Sequence, residues 1–169
     1  MKNLISFFKP SLFVDSVLDI DKSVINNPKI KLILLDIDNT IIQYKRTKMQ
    51  DCFMQWLISV SASKKIILVT NNSKKRVKSI AELKSFNYIC RAYKPLPFCY
   101  LRTVKNSKIK KDEAIIIGDQ IFDDILGGNL AGIYTVLVKP IEMEKAYRIR
   151  IKRYFESKIL CKMEKKGND

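Results

Sequence analysis

The chain contains no histidine, and this single absence removes several classes of enzyme. A Ser-His-Asp triad, a Cys-His pair and a zinc site with histidine ligands all need an imidazole. Cysteine is also sparse, and Cys52, Cys90, Cys99 and Cys161 show no Cys-x-x-Cys spacing. That scatter predicts small apolar side chains in a reducing compartment. Carboxylates, hydroxyls, amides and lysines are therefore left to carry any chemistry.

Long hydrophobic runs are missing as well. No stretch reaches the roughly 18 apolar residues that a transmembrane helix needs. Residues 1–8 are too short for a secretory signal before Lys9 and Pro10 interrupt them. The sequence therefore predicts a cytoplasmic protein, and it leaves open a peripheral contact with the inner face of the membrane.

Acidic residues are scarce, with 17 Asp and Glu against 32 Lys and Arg, for a formal net charge of +15. Such a charge fits attraction to nucleic acid or to an anionic membrane surface. The 25 lysines and 7 arginines fit compositional drift in an AT-rich genome equally well, because phosphate and base recognition favour the bidentate arginine fork. Both explanations stay open at this point, and nucleic acid is the less favoured partner.

What the chain does have is a pair of carboxylates directly after a buried strand. The apolar run Leu32–Leu35 predicts the strand, and Asp36 and Asp38 follow it two positions apart. Side chains at i and i+2 of an extended chain lie on the same side. Two carboxylates that close repel each other unless a cation intervenes, which indicates an oxygen-ligated ion, most simply Mg²⁺. The other interpretation is an ordinary Asp-Asn-Thr turn that caps the next helix.

Polar side chains also follow three further strand-like runs, just past the C-terminal end of each run. The runs cover 66–69, 88–93 and 114–117, and the polar residues that follow them are Thr70, Asn71, Lys94, Asp119, Asp123 and Asp124. Ligand sites in open parallel sheets lie at this edge, where the strand order reverses. Four strand ends in register favour one shared site over four unrelated turns.

Alternating strands and helices predict an α/β protein: a three-layer, doubly wound, Rossmann-like parallel sheet without a cap domain. The predicted helices cover 51–61, 73–86, 96–106, 120–131 and a long stretch from 141. At 169 residues the default is one domain. We divide it into an N-terminal extension over 1–30 that packs on the core, a catalytic core over 31–140, and a basic C-terminal helix with a frayed tail over 141–169.

The ordered motifs identify a resemblance. The Asp-Ile-Asp-Asn-Thr segment at 36–40, then Thr70, Lys94 and Gly118-Asp119 with Asp123-Asp124, resembles the four motifs of the haloacid dehalogenase (HAD) superfamily. Segments at 8–21 and 118–132 resemble its capless subclass IIIA, in the YqeG-like branch, which is similar to the mitochondrial phosphatidylglycerophosphate phosphatases. Bacterial receiver domains carry similar residues, but there the lysine comes last, whereas here Lys94 precedes the final acidic cluster.

This resemblance implies a Mg²⁺-dependent phosphatase with an assigned role for each motif residue. Asp36 is the implied nucleophile that forms an aspartyl-phosphate, and Asp38 is the implied acid and base. Thr70, the amide of Asn71 and Lys94 are the implied phosphate-binding groups. The implied metal ligands are Asp36, Asp38 through its main-chain carbonyl, Asp119 and Asp124. The branch usually has Thr where this chain has Asp123, so Asp123 is either an extra carboxylate near the metal or a solvent-facing one.

The lengths between the motifs predict the size of the substrate. Between Asp38 and Thr70, and between Thr70 and Lys94, there is room for one helix each and for no cap domain. An open site favours a large or tethered phosphorylated substrate, with phosphatidylglycerophosphate as one possibility beside soluble nucleotides and sugar phosphates. In residues 144–155 the apolar side chains share one helical face and Lys and Arg fill much of the rest, as in an amphipathic helix. Such a helix either lies on a membrane surface or packs its apolar face on the sheet. The alternative from another class is a HAD-fold binding or assembly protein, for example one associated with RNA or the ribosome, with little turnover. The sequence leaves the oligomeric state open.

Overall fold

A computed structural model describes residues 4–142, which build one six-stranded sheet with helices on both faces. All five strand pairings are parallel, and the strand order is β1-β6-β5-β2-β3-β4. The strands are β1 Leu12–Val14, β2 Leu32–Leu35, β3 Lys65–Val69, β4 Asn87–Ile89, β5 Ala114–Gly118 and β6 Tyr134–Val138. The predicted basic helix and tail lie outside the described residues, apart from Ile141 and Glu142 at their start.

Five α-helices connect these strands: α1 Lys22–Ile25, α2 Asp51–Ser61, α3 Lys74–Lys78, α4 Phe98–Asn106 and α5 Leu126–Ala131. A π-helical turn over Ile121–Ile125 leads directly into α5. Short 3₁₀ helices cover Leu4–Phe8, Val17–Asp19, Ala81–Leu83 and Lys111–Glu113. None of the helices within residues 4–142 is long and apolar enough to cross a membrane.

The strands are apolar on both sides because each side faces a helical layer. On β2, Ile33 and Leu35 pack in the larger cluster with Leu57 of α2, whereas Leu32 and Leu34 pack in a second cluster with Tyr100 of α4. Burial on both faces explains why β2 and β5 are continuous apolar runs rather than alternating ones. The result is the predicted three-layer α/β sandwich.

The order of the strands fixes where a site can form. From β2 the chain moves outward in one direction through β3 to β4 and later returns to β5, on the other side of β2. The helices α2 and α3 cover one face, and α4 and α5 cover the other. The carboxyl ends of β2 and β5 therefore flank the switch point of the sheet, where side chains from both halves converge.

The structure differs from the sequence prediction at several elements. The predicted helix over 73–86 is instead the short α3 and a separate 3₁₀ turn, because Ile80 between them adopts an extended conformation and is fully buried. Strands β1 and β6 were not predicted, and β1 makes the N-terminal segment part of the sheet. The helix predicted over 120–131 begins as the π-helical turn.

The N-terminal segment is also tied to the core by side-chain hydrogen bonds. Asn129 donates from Nδ2 to the carbonyl oxygens of Phe7 (2.7 Å) and Lys9 (2.9 Å), and its Oδ1 accepts from the Thr135 hydroxyl at 3.2 Å. The Thr135 Oγ1 accepts from the amide of Ser11 at 3.2 Å. This chain of contacts fastens the entry to β1 onto α5 and β6.

Candidate active site

The loop after β2 holds Asp36 beneath a tight turn. Asp36 continues the β2 ladder, since its amide donates to the Ile117 carbonyl on β5 at 2.9 Å. Asn39 then adopts a left-handed conformation (φ 63°) and turns the chain, so that the Thr40 hydroxyl donates to Asp36 Oδ2 at 3.0 Å. Asn and Asp tolerate this conformation better than most residues. The turn thus orients the Asp36 carboxylate at the centre of the sheet edge.

Lys94 reaches the same point from beyond β4. Its Nζ lies 2.5 Å from Asp36 Oδ1 and 2.7 Å from Asp124 Oδ1, and it also donates to the Val69 carbonyl at 3.2 Å. Asn71 fixes the lysine main chain, because its Oδ1 accepts from the Lys94 amide at 2.8 Å and its Nδ2 donates to the Lys94 carbonyl at 3.1 Å. The Asn71 side chain therefore positions Lys94. The main-chain amide of Asn71 stays a predicted phosphate ligand.

Three buried carboxylates converge beside Lys94. One oxygen from each of Asp36, Asp119 and Asp124 lies within 4.8 Å of the others. Asp124 approaches the end of β5 so closely that a Cβ on Gly118 would lie 2.2 Å from its carboxyl carbon. The Gln120 amide also donates to Asp124 Oδ2, at 3.2 Å. Only glycine at 118 leaves room for this carboxylate.

Burial and charge compete in this cluster. Burial raises the pKa of Asp36 to about 7; Lys94 opposes that rise, and the negative charge of Asp124 adds to it. Burial disfavours the Lys94 ammonium, but the carboxylates of Asp124 and Asp36 outweigh that effect and raise the pKa of Lys94 well above its usual range. Lys94 is therefore charged at neutral pH, and Asp36 is poised between its two forms.

Asp38 is held away from the three clustered carboxylates. Arg76 of α3 donates to Asp38 Oδ1 from Nη2 at 2.6 Å and from Nε at 3.0 Å, and Asn72 Nδ2 donates to Asp38 Oδ2 at 2.8 Å. The third guanidinium nitrogen of Arg76, Nη1, donates to the Arg46 carbonyl at 2.6 Å. The side chain of Asp38 is thus outside the cluster, and the predicted ligand there remains its main-chain carbonyl.

The other predicted residues are placed as follows. Thr70 is buried at the end of β3, and its Oγ1 accepts from the Asn72 amide at 3.0 Å. Asp123 is half-buried and does not belong to the carboxylate cluster, so the extra-ligand interpretation of Asp123 is not supported. Asp36, Lys94, Asp119 and Asp124 come together as the strand ends predicted.

Three contributors were missed by the sequence interpretation: Thr40, Asn72 and Arg76. Thr40 lies in the first motif, and its hydroxyl was within reach of any carboxylate at 36. Arg76 offers a weaker signal, since it is one of only 7 arginines in a chain with 25 lysines. A guanidinium that must bond two acceptors at once is not replaceable by lysine. The pairing with Asp38 itself could not be read from spacing alone.

The donor set fits a hard divalent cation. Three carboxylates supply only oxygen atoms, and oxygen is what Mg²⁺ and Ca²⁺ bind in proteins. The three carboxylates face the single ammonium of Lys94, so an additional cation would offset their mutual repulsion. Thr40 and Gln120 already hold Asp36 and Asp124 in orientation. The arrangement can therefore bind a cation beside the buried side chain of Lys94.

Comparison with known proteins shows the family of this chain. A family model described as HAD-hydrolase-like matches residues 92–144, which contain Lys94 and the final acidic cluster. The protein described as "Probable phosphatase YqeG" from Bacillus subtilis (strain 168) is 32% identical over 163 residues, which cover 96% of this chain and 95% of that protein. The similarity therefore extends over essentially the whole chain.

Solved structures share the fold at lower identity. An uncharacterized protein from Listeria monocytogenes serotype 4b superposes with a TM-score of 0.54 and 16% identity, covering 69% of this chain and 85% of that one. The D,D-heptose 1,7-bisphosphate phosphatase from B. bronchiseptica, solved with magnesium and phosphate, gives a TM-score of 0.52 and 18% identity, covering 64% and 80%. At these identities the likeness concerns the fold alone.

Proposed function

Because the chain belongs to the HAD-type phosphatases, in the family of the Bacillus subtilis YqeG protein, we propose that it hydrolyses phosphate monoesters through an aspartyl-phosphate on Asp36. The observation that carries this proposal is the buried Asp36 carboxylate, held by Thr40 and Lys94 at the switch point of the sheet. A carboxylate oriented this way can attack phosphorus, and the neighbouring ammonium can stabilise the charge that develops.

The proposed reaction has two displacements at phosphorus. First, an Asp36 oxygen bonds to phosphorus, the ester P–O bond breaks, and protonated Asp38 gives its proton to the leaving alkoxide. Then Asp38 takes a proton from water, the water oxygen bonds to phosphorus, and the bond from phosphorus to Asp36 breaks. Lys94, Thr70 and the Asn71 amide hold the phosphoryl oxygens. Arg76 and Asn72 fix the Asp38 carboxylate between steps.

Mg²⁺ is the proposed cofactor. Asp36, Asp119 and Asp124 would hold it with their side chains, and Asp38 with its main-chain carbonyl. The buried carboxylate cluster supports this assignment, and the heptose bisphosphate phosphatase of the same fold was solved with magnesium and phosphate. When bound, the ion supplies positive charge that lets an anionic nucleophile approach a phosphate dianion.

The test is release of inorganic phosphate from an aryl phosphate, with Mg²⁺ and with EDTA. We expect turnover only with the metal, and we expect Asp36→Asn to lose nearly all of it, because an amide cannot form the acyl-phosphate. The matched control is Asp112→Asn, which removes a surface carboxylate paired with Lys29 and should leave the rate unchanged. Turnover in EDTA, or an active Asp36→Asn enzyme, contradicts the proposal.

For the substrate we propose phosphatidylglycerophosphate, hydrolysed to phosphatidylglycerol at the cytoplasmic face of an anionic membrane. Within residues 31–142 only α2 lies between β2 and β3, and only α3 with one 3₁₀ turn lies between β3 and β4, so no cap covers the site. An open site admits a head group that protrudes from a bilayer. The resemblance to the mitochondrial lipid phosphatases and the charge of +15 support the same substrate.

Turnover on phosphatidylglycerophosphate in mixed micelles should exceed turnover on glycerol phosphate and nucleotide monophosphates. Equal rates on the soluble compounds would contradict the lipid assignment while leaving the phosphatase proposal intact. The basic residues predicted to help at the membrane, Lys145, Arg148, Lys152 and Arg153, lie outside the described residues. Their replacement by Gln should raise the apparent KM on anionic vesicles and spare soluble substrates.

A further inference from the structure

Three large apolar side chains are exposed on one short stretch beside the active site. Tyr93 is 69% exposed, Leu96 51% and Phe98 71%. Single exposed apolar residues are ordinary on a protein surface, but three within six positions form a patch, and apolar patches mark interaction sites. Together with Arg91 and Arg102, which are also exposed, we call these residues the aromatic lip.

The aromatic lip is continuous with the phosphate-binding residues. A cavity of about 600 Å³ is lined by Asn71 and Lys94 together with Arg91, Tyr93 and Leu96. A second cavity, of about 440 Å³, shares those three residues and extends along α4 to Phe98 and Arg102. The patch is therefore adjacent to two of the predicted phosphate-binding residues rather than on a remote surface.

The backbone presents this wall in an unusual conformation. Arg91 and Tyr93 both lie in the left-handed region, with φ of 49° and 55°. Non-glycine residues seldom adopt that region, and such strain persists where the surrounding structure enforces it, often at binding sites. Asn71 supplies part of that enforcement, because its side chain bonds both main-chain groups of Lys94, the residue after Tyr93.

The charge around the aromatic lip has one sign. Between Glu82 and Asp112 the sequence contains no acidic residue, whereas eight positions are Lys or Arg. Among the residues that the structure describes, the ion pairs of this span involve only Lys94, so Arg91 and Arg102 have no carboxylate partner there. An apolar patch beside two arginines without carboxylate partners is complementary to a surface with an apolar interior and anionic groups at its boundary with water.

The chain's own C-terminal segment fits this surface poorly. Residues 143–169 contain nine Lys and Arg against four Asp and Glu, so the segment repels a basic patch. Single-stranded nucleic acid would suit the two aromatic rings and the arginines. It would not suit Leu96, which has no π face, at the point where both cavities meet.

We propose that the aromatic lip docks on an anionic lipid bilayer, with Tyr93, Leu96 and Phe98 entering the interface and Arg91 and Arg102 contacting lipid phosphates. Aromatic rings partition to the boundary between headgroups and acyl chains, and nearby cations add attraction to anionic lipid. Docking there turns the cavity that Asn71 and Lys94 line toward the membrane. The proposal deepens the proposed function by orienting its site, but its measurement needs no catalysis.

The test is co-sedimentation of the full chain with vesicles, in EDTA and without substrate. Vesicles of phosphatidylcholine with an equal part of phosphatidylglycerol should bind the protein, and phosphatidylcholine alone should bind it much less. Leu96→Ser with Phe98→Ser should weaken binding by at least about tenfold, since apolar area leaves the interface. Arg91→Gln and Arg102→Gln should each weaken it about fivefold, as expected for a cation near an anionic surface.

Matched controls separate the aromatic lip from general charge and hydrophobicity. Ile58→Ser removes an apolar side chain that is 53% exposed on α2, a helix of the opposite layer, and should leave vesicle binding unchanged. Lys9→Gln with Lys22→Gln removes two exposed cations elsewhere and should change binding less than either single arginine variant. The Leu96 and Phe98 double variant should keep the circular dichroism spectrum and the Tm of the parent, which shows that it is folded.

Three results would overturn the proposal. One is equal binding to the neutral and the anionic vesicles, and another is a double variant that binds vesicles like the parent. The third is a double variant that loses retention of RNA on filters but keeps vesicle binding, which would assign the patch to nucleic acid. A protein that binds vesicles through the aromatic lip but releases no phosphate would leave the docking proposal standing and contradict the proposed function.

Discussion

At the scale of single residues, the site depends on charges that would be costly if they were separated. Lys94 and its two carboxylate partners are buried, and each ion loses hydration that only a close partner can replace. Removal of one partner leaves an uncompensated buried charge. Buried ion pairs are weak evidence for stability, so this arrangement is better explained by chemistry at Asp36 than by folding.

The first prediction is that Mg²⁺ binding weakens as the pH falls through about 7. Burial raises the pKa of Asp36 to about 7, and below that pH a proton competes with the metal for the carboxylate. Affinity measured by calorimetry should fall by up to about tenfold per pH unit on the acid side and level off on the alkaline side. If the Mg²⁺ affinity were the same below and above pH 7, the assignment of Asp36 as a ligand would be contradicted.

A second prediction concerns Arg76, which we infer is a positioning residue for Asp38. Arg76→Ala removes both bonds to Asp38 Oδ1 and the bond to the Arg46 carbonyl. We expect kcat to fall about 10- to 100-fold, the usual cost of losing such a supporting contact, with KM changed much less. Arg76→Lys should recover only part of the loss, because an ammonium cannot reproduce the guanidinium fork.

The control for that series is Lys78→Ala, an exposed residue on the same helix, which should retain the parent rate. If Arg76→Ala raised KM and left kcat unchanged, Arg76 would act on the substrate rather than on Asp38.

At the scale of elements, the central strands β2, β3 and β5 were predictable, whereas β1 and β6 at one end of the sheet were not. The runs at β2, β3 and β5 are apolar throughout because both faces of the sheet are covered, and that pattern needs no knowledge of partners. Strand β1 has three residues, too few for a periodic signal, and β6 carries the fully buried Thr135. Strands β1 and β6 depend on their pairing with each other and on the hydrogen bond from Ser11 to Thr135, which are tertiary contacts.

The helix after β3 shows why sequence periodicity failed there. Val77, Ile80 and Leu83 have helical spacing, and all three are buried in the same cluster. The chain reaches this burial with two short helical turns, because α3 ends at Lys78 and Ile80 is extended. Packing of the apolar side chains thus overrode a continuous helix. For the site, strand-end position identified Asp36, Lys94, Asp119 and Asp124, whereas Arg76 required the fold.

The third prediction tests the connection between the N-terminal segment and the core. Asn129→Ala removes two bonds to carbonyl oxygens before β1 and one from Thr135, so the free energy of unfolding should fall by roughly 1–3 kcal/mol. Urea denaturation measures that loss, and chymotrypsin should cut after Phe7 faster than in the parent, because Asn129 no longer bonds the Phe7 carbonyl. Asn106→Ala, at the exposed end of α4, is the control and should change neither; an Asn129 variant as stable as the parent would contradict the account.

At the scale of the whole molecule, one sheet edge concentrates opposite kinds of charge. The chain carries +15, yet three of its 17 acidic residues are buried together at the carboxyl ends of β2 and β5. Positive charge around an acidic centre matches the phosphorylated molecules that we propose as substrates. Within residues 31–142 the connections from β2 to β4 contain only α2, α3 and one 3₁₀ turn, with no cap domain.

The last prediction is that Mg²⁺ stabilises the entire fold. The ion binds the folded chain through side chains that are scattered in the unfolded chain, so binding energy adds to folding energy. At about 100 times its Kd the gain is roughly 2.7 kcal/mol, which corresponds to a rise in Tm of about 5–10 °C for a chain of this size. Asp119→Asn should lose most of the rise, because it removes one of the three clustered carboxylates. Asp112→Asn, at the surface, should keep it. If EDTA and Mg²⁺ gave the parent the same Tm, the cluster would not be a metal site.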